Sequence, residues 1–388
     1  MPKKFLIIAS ACMYMLSGSL HAYADTGLRQ VEQYNYSIHI LAMLLVGFGF
    51  LMVFVKKHGN SATTGTYLVV GTGIPLYLFL CSTGVISAEV MTANSIHILL
   101  LAEFACASAL IAMGAVLGRL LLYQYAMLAA LLVPAYMLNE WLVLDGGLGI
   151  TKGFVDSAGS IVIHAFGAYF GIGLCLGLVR MNHAEHPIES DDTSDHFSML
   201  GSMVLWIFWP SFCSAVVPSE QMPNTVIATI LALCGATLAT YALSALLRKG
   251  KPSFSDMANA ALAGGVSIGA TCNLVSPQAA FGIGLLAGAI CVVGYVFVQP
   301  LIFARHKIID TCGVHNLHGM PGLMGGLVAI LVVPGIAKAQ IVGIATTVLL
   351  ALVTGVIAGF LISLTGEKKL VYEDRDEFDG MAASASAD

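Results

Sequence analysis

The sequence predicts an all-α, polytopic membrane protein: eleven transmembrane helices after a cleaved signal peptide, forming two inverted five-helix repeats around a central pore. Three observations carry that reading. Of the 388 residues, 58% are hydrophobic and only 10% charged, with mean hydropathy +0.87; soluble domains carry about 25% charged residues. Apolar segments of about 20 residues, the length that crosses a bilayer, recur along the chain. One short pattern, D-x-x-G-x4-H, occurs twice, at Asp156–His164 and at Asp310–His318.

The N-terminus has the anatomy of a signal peptide over residues 1–24. Lys3 and Lys4 precede an apolar run from Phe5 to Leu16, and Ala22-Tyr23-Ala24 supplies the small-x-small pattern before Asp25. An uncleaved first helix is the alternative. Eleven spans follow, near 34–55, 65–84, 94–118, 121–142, 155–179, 197–217, 223–247, 256–275, 278–303, 311–334 and 340–364. Together they form one membrane domain over 25–366, and the polar, Ala/Ser-rich stretch 367–388 reads as a partly mobile cytoplasmic tail.

With the mature N-terminus outside, Lys and Arg should collect in the alternate, cytoplasmic loops of an inner-membrane protein. Lys56, Lys57, Arg119, Arg180, Arg248, Lys249, Lys251, Arg305, Lys307, Lys368, Lys369 and Arg375 fall there. Only Arg29, Lys152 and Lys338 fall on the other side. Twelve against three supports both the span count and the orientation.

The net charge of −5 says little about partners, and no basic patch suggests nucleic acid. The nine cysteines are scattered singly, without CxxC pairs or zinc-type spacing, and read as packing residues. Neither a metal nor a cofactor is expected.

The repeated pattern opens the fifth and the tenth span. Five intervening spans reverse the chain direction, so the two helices enter the membrane from opposite faces, as inverted repeats do, with a site at their interface. His164 and His318 each lie about nine residues into their helix, roughly 13 Å at 1.5 Å per residue. From opposite faces of a ~30 Å core both reach the middle. Ionisable groups at that depth face a cavity or a partner, and here each histidine is the other's natural partner, the two sharing one N–H···N bond. The bland alternative is two unrelated histidines bonded to backbone or hydroxyls. His97 and His315 have no repeat partner and read as structural or vestibular.

Asp156 and Asp310 stand at helix starts, where a carboxylate caps backbone N–H groups. Attraction of a cation towards the pore is a second, compatible role. The 41 glycines, in runs such as Gly264-Gly265 and Gly322-Leu-Met-Gly325-Gly326, allow close helix approach around a narrow lumen without identifying what passes through it.

Here the sequence resembles a known family. Asp310-Thr-Cys-Gly-Val-His-Asn-Leu-His-Gly-Met-Pro-Gly322 is similar to the Rh version of the ammonium transporter signature. Ile163-His-Ala-Phe-Gly-Ala-Tyr-Phe-Gly171, Leu205-Trp-Ile-Phe-Trp-Pro-Ser-Phe212 and Leu101-Ala-Glu-Phe104 with Gly114-Ala-Val-Leu-Gly118 are similarly close. These motifs spread over spans three, five, six and ten. The resemblance implies eleven helices, a homotrimer in the lipid bilayer and one pore per subunit. It implies His164 and His318 as twin pore histidines, Phe104 and Phe212 as a stacked outer gate, and Asp156 and Asp310 as the acidic positions of the pore helices. Alone, the two Phe would read as core rings.

Departures narrow the resemblance. Val216 stands where the bacterial Amt branch places a recruiting Ser, Cys213 follows the gate Phe where Asn is expected, and Trp141 does not align with the recruiting Trp. That favours a lower-affinity Rh-type ammonia channel, with Glu140 and Trp141 as vestibule candidates. Ammonium would lose its proton at the pore, because a bare cation at mid-bilayer is far more expensive than a small neutral amine. Alternatives are a carbon dioxide or other neutral-gas channel, an electrogenic ammonium transporter, an ammonium sensor and, last, an integral-membrane enzyme. The enzyme reading is disfavoured by short loops and by a symmetric Asp/His set without a nucleophile or metal constellation. The tail of about 22 residues is short for a sensor's output domain.

Overall fold

The computed structural model describes residues 26–84, 95–147, 149–178 and 186–379. The proposed signal peptide lies outside them. Helices are the regular elements of the described residues, with no strand among them. Helix α1 runs Thr26–Ala42 and continues through a π turn, Met43–Phe48, to Phe54. It is followed by α2 (Gly59–Thr83), α3 (Ser95–Ala115), α4 (Leu122–Val143), α5 (Ser160–Gly177), α6 (Asp192–Ser214) and α7 (Met222–Leu247). Two short helices come next, α8 (Phe254–Ala260) and α9 (Ala263–Ile268), then α10 (Pro277–His306), α11 over 315–332 and α12 (Ala337–Ser363).

Nine of these helices are long and apolar enough to cross a membrane, among the described residues. The two remaining expected spans differ from their sequence outline. Residues 256–275 do not form one helix: α8 and α9 are separated at Ala261–Leu262, and the chain then turns through 269–275. Gly264 and Gly265 explain the close packing there, since a Cβ on Gly264 would run into Ala232 and one on Gly265 into the indole of Trp209. The expected span 311–334 becomes helical only at His315, because Asp310–Val314 is spent on a capped turn.

Long helices pair through small residues, as bilayer packing favours. Gly235 on α7 lies against Phe281 of α10, and Gly284 and Gly288 of α10 lie against Ala232 and Ala236. On the other side, Gly173 and Gly177 of α5 meet Gly355 and Gly359 of α12.

The two repeat helices begin at opposite ends. Before α5, Val155 exchanges two hydrogen bonds with Gln340 near the start of α12, donating N–H to Oε1 (2.9 Å) and accepting from Nε2 (2.8 Å). Before α11, Thr311 and Cys312 donate to the carbonyls of Ala115 and Gly114 at the end of α3. That second end also gathers the tail, because Tyr123 Oη donates to the Thr365 carbonyl just beyond the end of α12.

Residues 367–379 of the tail dock rather than hang free. Asp374 accepts from the N–H groups of Asn60 (2.8 Å) and Ser61 (3.0 Å), capping the first turn of α2. Tyr372 N–H donates to the Gly118 carbonyl, and Glu377 accepts from Leu122 N–H (3.2 Å) at the start of α4. Lys368 is buried between Asp376 (3.2 Å) and Glu377 (2.8 Å). His58, fully buried, has its ring 3.4 Å from the Asp374 carboxylate.

Burial pushes the His58 imidazole down to about 4, against the opposing pull of Asp374. Undocking lets water back to the His58 ring and so returns it towards the ordinary histidine value of about 6.5. As pH falls through that window the undocked state takes up the proton first, so docking weakens progressively between about 6.5 and 4 and is fully retained above 6.5. Amide exchange of residues 367–379 is expected to accelerate across that interval; a flat profile would contradict this account.

Candidate functional site

Both repeat helices are launched by the same device. Asp156 Oδ2 accepts from the N–H groups of Ile161 (2.9 Å) and Val162 (2.8 Å). Asp310 accepts from Val314 (Oδ1, 2.9 Å) and His315 (Oδ2, 2.9 Å). Three residues after each Asp stands a glycine in the left-handed region, Gly159 at φ 80° and Gly313 at φ 70°. A side chain would be strained there; a Cβ on Gly159 would also collide with Ile163, and one on Gly313 with Tyr295. A π turn follows in both, Ser160–Ala165 and His315–Gly319, and each contains its histidine. The repeated Asp, Gly and His thus correspond to cap, turn and presented side chain.

The two histidines meet. His164 Nδ1 and His318 Nδ1 are 3.3 Å apart, with ring centroids 5.3 Å apart and planes at 13°. A hydrogen bond between two ring nitrogens needs one of them to be an unprotonated acceptor. Both rings are buried, and His164 Nε2 has no hydrogen-bond partner among the described residues. The helices approach closely here because Gly322 of α11 sits against the Ser160 carbonyl, at 2.5 Å from where its Cβ would be.

An aromatic row extends from the pair. His164 stacks on Trp209 (5.6 Å, 23°) and lies 6.0 Å from Phe212, which in turn meets Phe104 at 4.6 Å. The expected stacking of Phe104 on Phe212 takes an edge-to-face form: the ring planes stand at 61°, which the aromatic quadrupole favours over a face-to-face sandwich. On the other side, Phe48 lies 6.3 Å from His318. Below it is a cavity of about 20 Å³ lined chiefly by apolar groups, among them Phe48, Leu51, Leu110, Ile111, Val314 and Leu317, with His318 at its wall. That is room for about one water-sized molecule.

Glu140 and Trp141 stand apart from this row. The Glu140 carboxylate accepts from Tyr77 Oη (3.0 Å) and is bonded by Tyr136, while the Trp141 indole covers Gly147. Two contributors were not singled out from sequence, Trp209 and Phe48. Trp209 lies three residues before Phe212 on α6, one helical turn away on the same face, and that spacing within the quoted motif is the signal that finds it. Phe48 closes a π turn in an apolar run and has no such signal. No group of three or more His, Cys, Asp or Glu side chains suited to a metal ion occurs among the described residues.

A sequence profile described as the Ammonium Transporter Family matches residues 4–385. Ammonium transporter Rh type B of Oryctolagus cuniculus is 38% identical over 358 residues, covering 83% of this chain and 76% of the relative. Ammonium transporter Rh type A of Mus musculus is 37% identical over 347 residues, covering 84% and 75%. Among solved structures, Nitrosomonas europaea Rh50, a channel of the Rhesus protein family, is 65% identical with a TM-score of 0.90, covering 92% of this chain and 94% of that one. A sensor Amt protein, 18% identical with a TM-score of 0.73, shares the fold. With nearly its whole length matched, this chain belongs to the ammonium transporter family, and its nearness to Rh proteins agrees with the Rh form of its signature residues.

Proposed function

We propose that the protein is an Rh-type channel that conducts ammonia across the cytoplasmic membrane, ammonium giving up its proton before or at the twin histidines. The observation that carries this reading is the buried His164–His318 contact beside a cavity of about 20 Å³ walled by apolar side chains. Asn259 is the one amide side chain in that lining and no carboxylate belongs to it, so little there replaces the water around a cation, and desolvating a charge costs several kcal/mol or more. A small neutral amine needs only an occasional hydrogen bond, which imidazole nitrogens such as the unpartnered His164 Nε2 can make.

In this reading Phe104 and Phe212 form the outer gate, and Asp156 and Asp310 hold the helices that present the histidines. Glu140 adds negative charge to the outer vestibule beside Trp141. Val216, in place of a hydroxyl side chain, leaves the entrance without a dedicated ammonium-binding serine. The tail face is cytoplasmic, as the side carrying most Lys and Arg, and the protein works as a homotrimer, whose mass in detergent by light scattering tests that assignment.

The decisive experiment records the internal pH of proteoliposomes after an ammonium pulse, together with membrane current. Vesicles with protein are expected to alkalinise faster than empty ones, without current. Equal rates would end the transport reading, and a current tracking the flux would replace ammonia by ammonium. A faster response to carbon dioxide but not to ammonia would favour the neutral-gas alternative.

A further inference from the structure

The gate rings sit on two helices, α3 and α6, and each helix is tied to α1 at the residue beside its ring. Glu103 precedes Phe104, and its Oε1 accepts a 2.6 Å bond from Ser37 Oγ; both side chains are buried. Ser211 precedes Phe212, and its Oγ shares a 2.9 Å hydrogen bond with His39 Nδ1. The His39 ring also stacks on Phe208, one turn back on α6, at 4.8 Å and 22°. Ser37 and His39 are two residues apart on one helix.

Neither tie is needed to close α1 itself, whose backbone is helical through both positions. The α6 tie falls where that helix is weakest. Pro210, inside α6, has no N–H to give the Trp206 carbonyl, so the turn leading into Ser211 and Phe212 lacks one of its internal bonds. The α3 tie places a carboxyl side chain between two membrane helices, where a hydrogen bond fixes their relative rotation and its loss leaves a buried polar group unpaired. The two rings meet edge to face at 4.6 Å, a geometry that a small rotation of either helix would change.

We infer that α1 sets the aperture of the gate: Ser37–Glu103 and His39–Ser211 are positioning pairs that hold Phe104 and Phe212 at their spacing, and so determine how large an amine passes. The inference rests on the proposed conduction of ammonia, and what it adds is size selection by residues outside the lumen. The part that Glu103 plays is to accept the Ser37 bond, which a carboxamide oxygen can also do.

The test compares uptake of ammonia and of the larger methylamine into proteoliposomes. Because both fluxes scale with the amount of folded protein, their ratio is insensitive to a simple loss of protein. In Ser37→Ala and His39→Ala the methylamine-to-ammonia ratio is expected to rise about threefold or more, the scale of one lost hydrogen bond. Ser37→Thr, which keeps the hydroxyl, and Glu103→Gln, which keeps an acceptor, are expected to hold the wild-type ratio. A ratio unchanged in both alanine variants overturns the inference while leaving conduction intact, as does a rise equally large in Ser37→Thr. Should the wild type pass neither amine, the proposed function fails, and amide exchange in residues 101–106 and 208–214 then decides. Acceleration in the alanine variants supports the brace, and exchange at the wild-type rate removes it.

Discussion

Replacing His164 by Ala is expected to lower ammonia permeability of proteoliposomes about tenfold at constant protein density, the cost of one hydrogen bond missing at the barrier. The reason lies in what surrounds it. Beyond His164 lie Trp209, Phe212 and Phe104, and beyond His318 lie Phe48 and a cavity lined mostly by apolar side chains, with Asn259 among them. In the proposed reading the imidazole pair is the polar station between two largely apolar stretches, and alanine leaves the permeant with no partner there. The loss also frees His318 Nδ1 from its 3.3 Å partner, so the surviving ring is no longer held. His318→Ala should therefore be about as damaging, and the double variant less than additive, because the two rings act as one unit. Wild-type permeability in the double variant would remove the histidines from the mechanism.

The second large effect concerns the caps. In Asp156→Ala, the buried N–H groups of Ile161 and Val162 lose their acceptor at the start of α5. Each unpaired group costs about 1–3 kcal/mol. Thermal stability in detergent and ammonia flux are expected to fall together. Asp156→Asn keeps an acceptor oxygen in the same place while removing the charge, and so separates holding the helix from attracting a cation. Retention of most stability and flux in the Asn variant is the expected result; an Asn variant as inactive as Ala but as stable as wild type would give the charge the larger role.

The parts of this site that could be read from the sequence are those encoded in local spacing. The Asp-x-x-Gly-x4-His pattern writes out a cap, a left-handed turn and a side chain one turn further on, and a carboxylate cap recurs at Asp156 and Asp310 because the letters recur, with the accepted N–H groups shifted by one residue between the two. Hydropathy located the long helices for the same reason. What stayed hidden depends on contacts between distant segments. The break at Ala261–Leu262 arises where Gly264 and Gly265 press against Ala232 and Trp209, which hydropathy alone does not register. The ring angle of Phe104 on Phe212, and the ties from Ser37 and His39, join residues more than sixty positions apart, from 66 for Ser37–Glu103 to 172 for His39–Ser211. The docking of the tail was illegible because its residues, polar and poor in apolar groups, find their partners in one another and on a surface formed by the starts of α2 and α4 and by Gly118 between α3 and α4.

That docking bears on biogenesis. Asp374, which caps the first turn of α2, lies 314 positions after Asn60 and beyond α12, so this helix end is completed only after the helices described above have been made. Until then the second helix sits in the membrane with its leading N–H groups turned to water or to lipid headgroups, and the start of α4 waits likewise for Glu377. Residues 367–379 thus act as a closing latch on helix ends that precede them by 255 to 314 positions. A nascent chain halted before Asp374 can have every membrane span inserted and still remain open at that face.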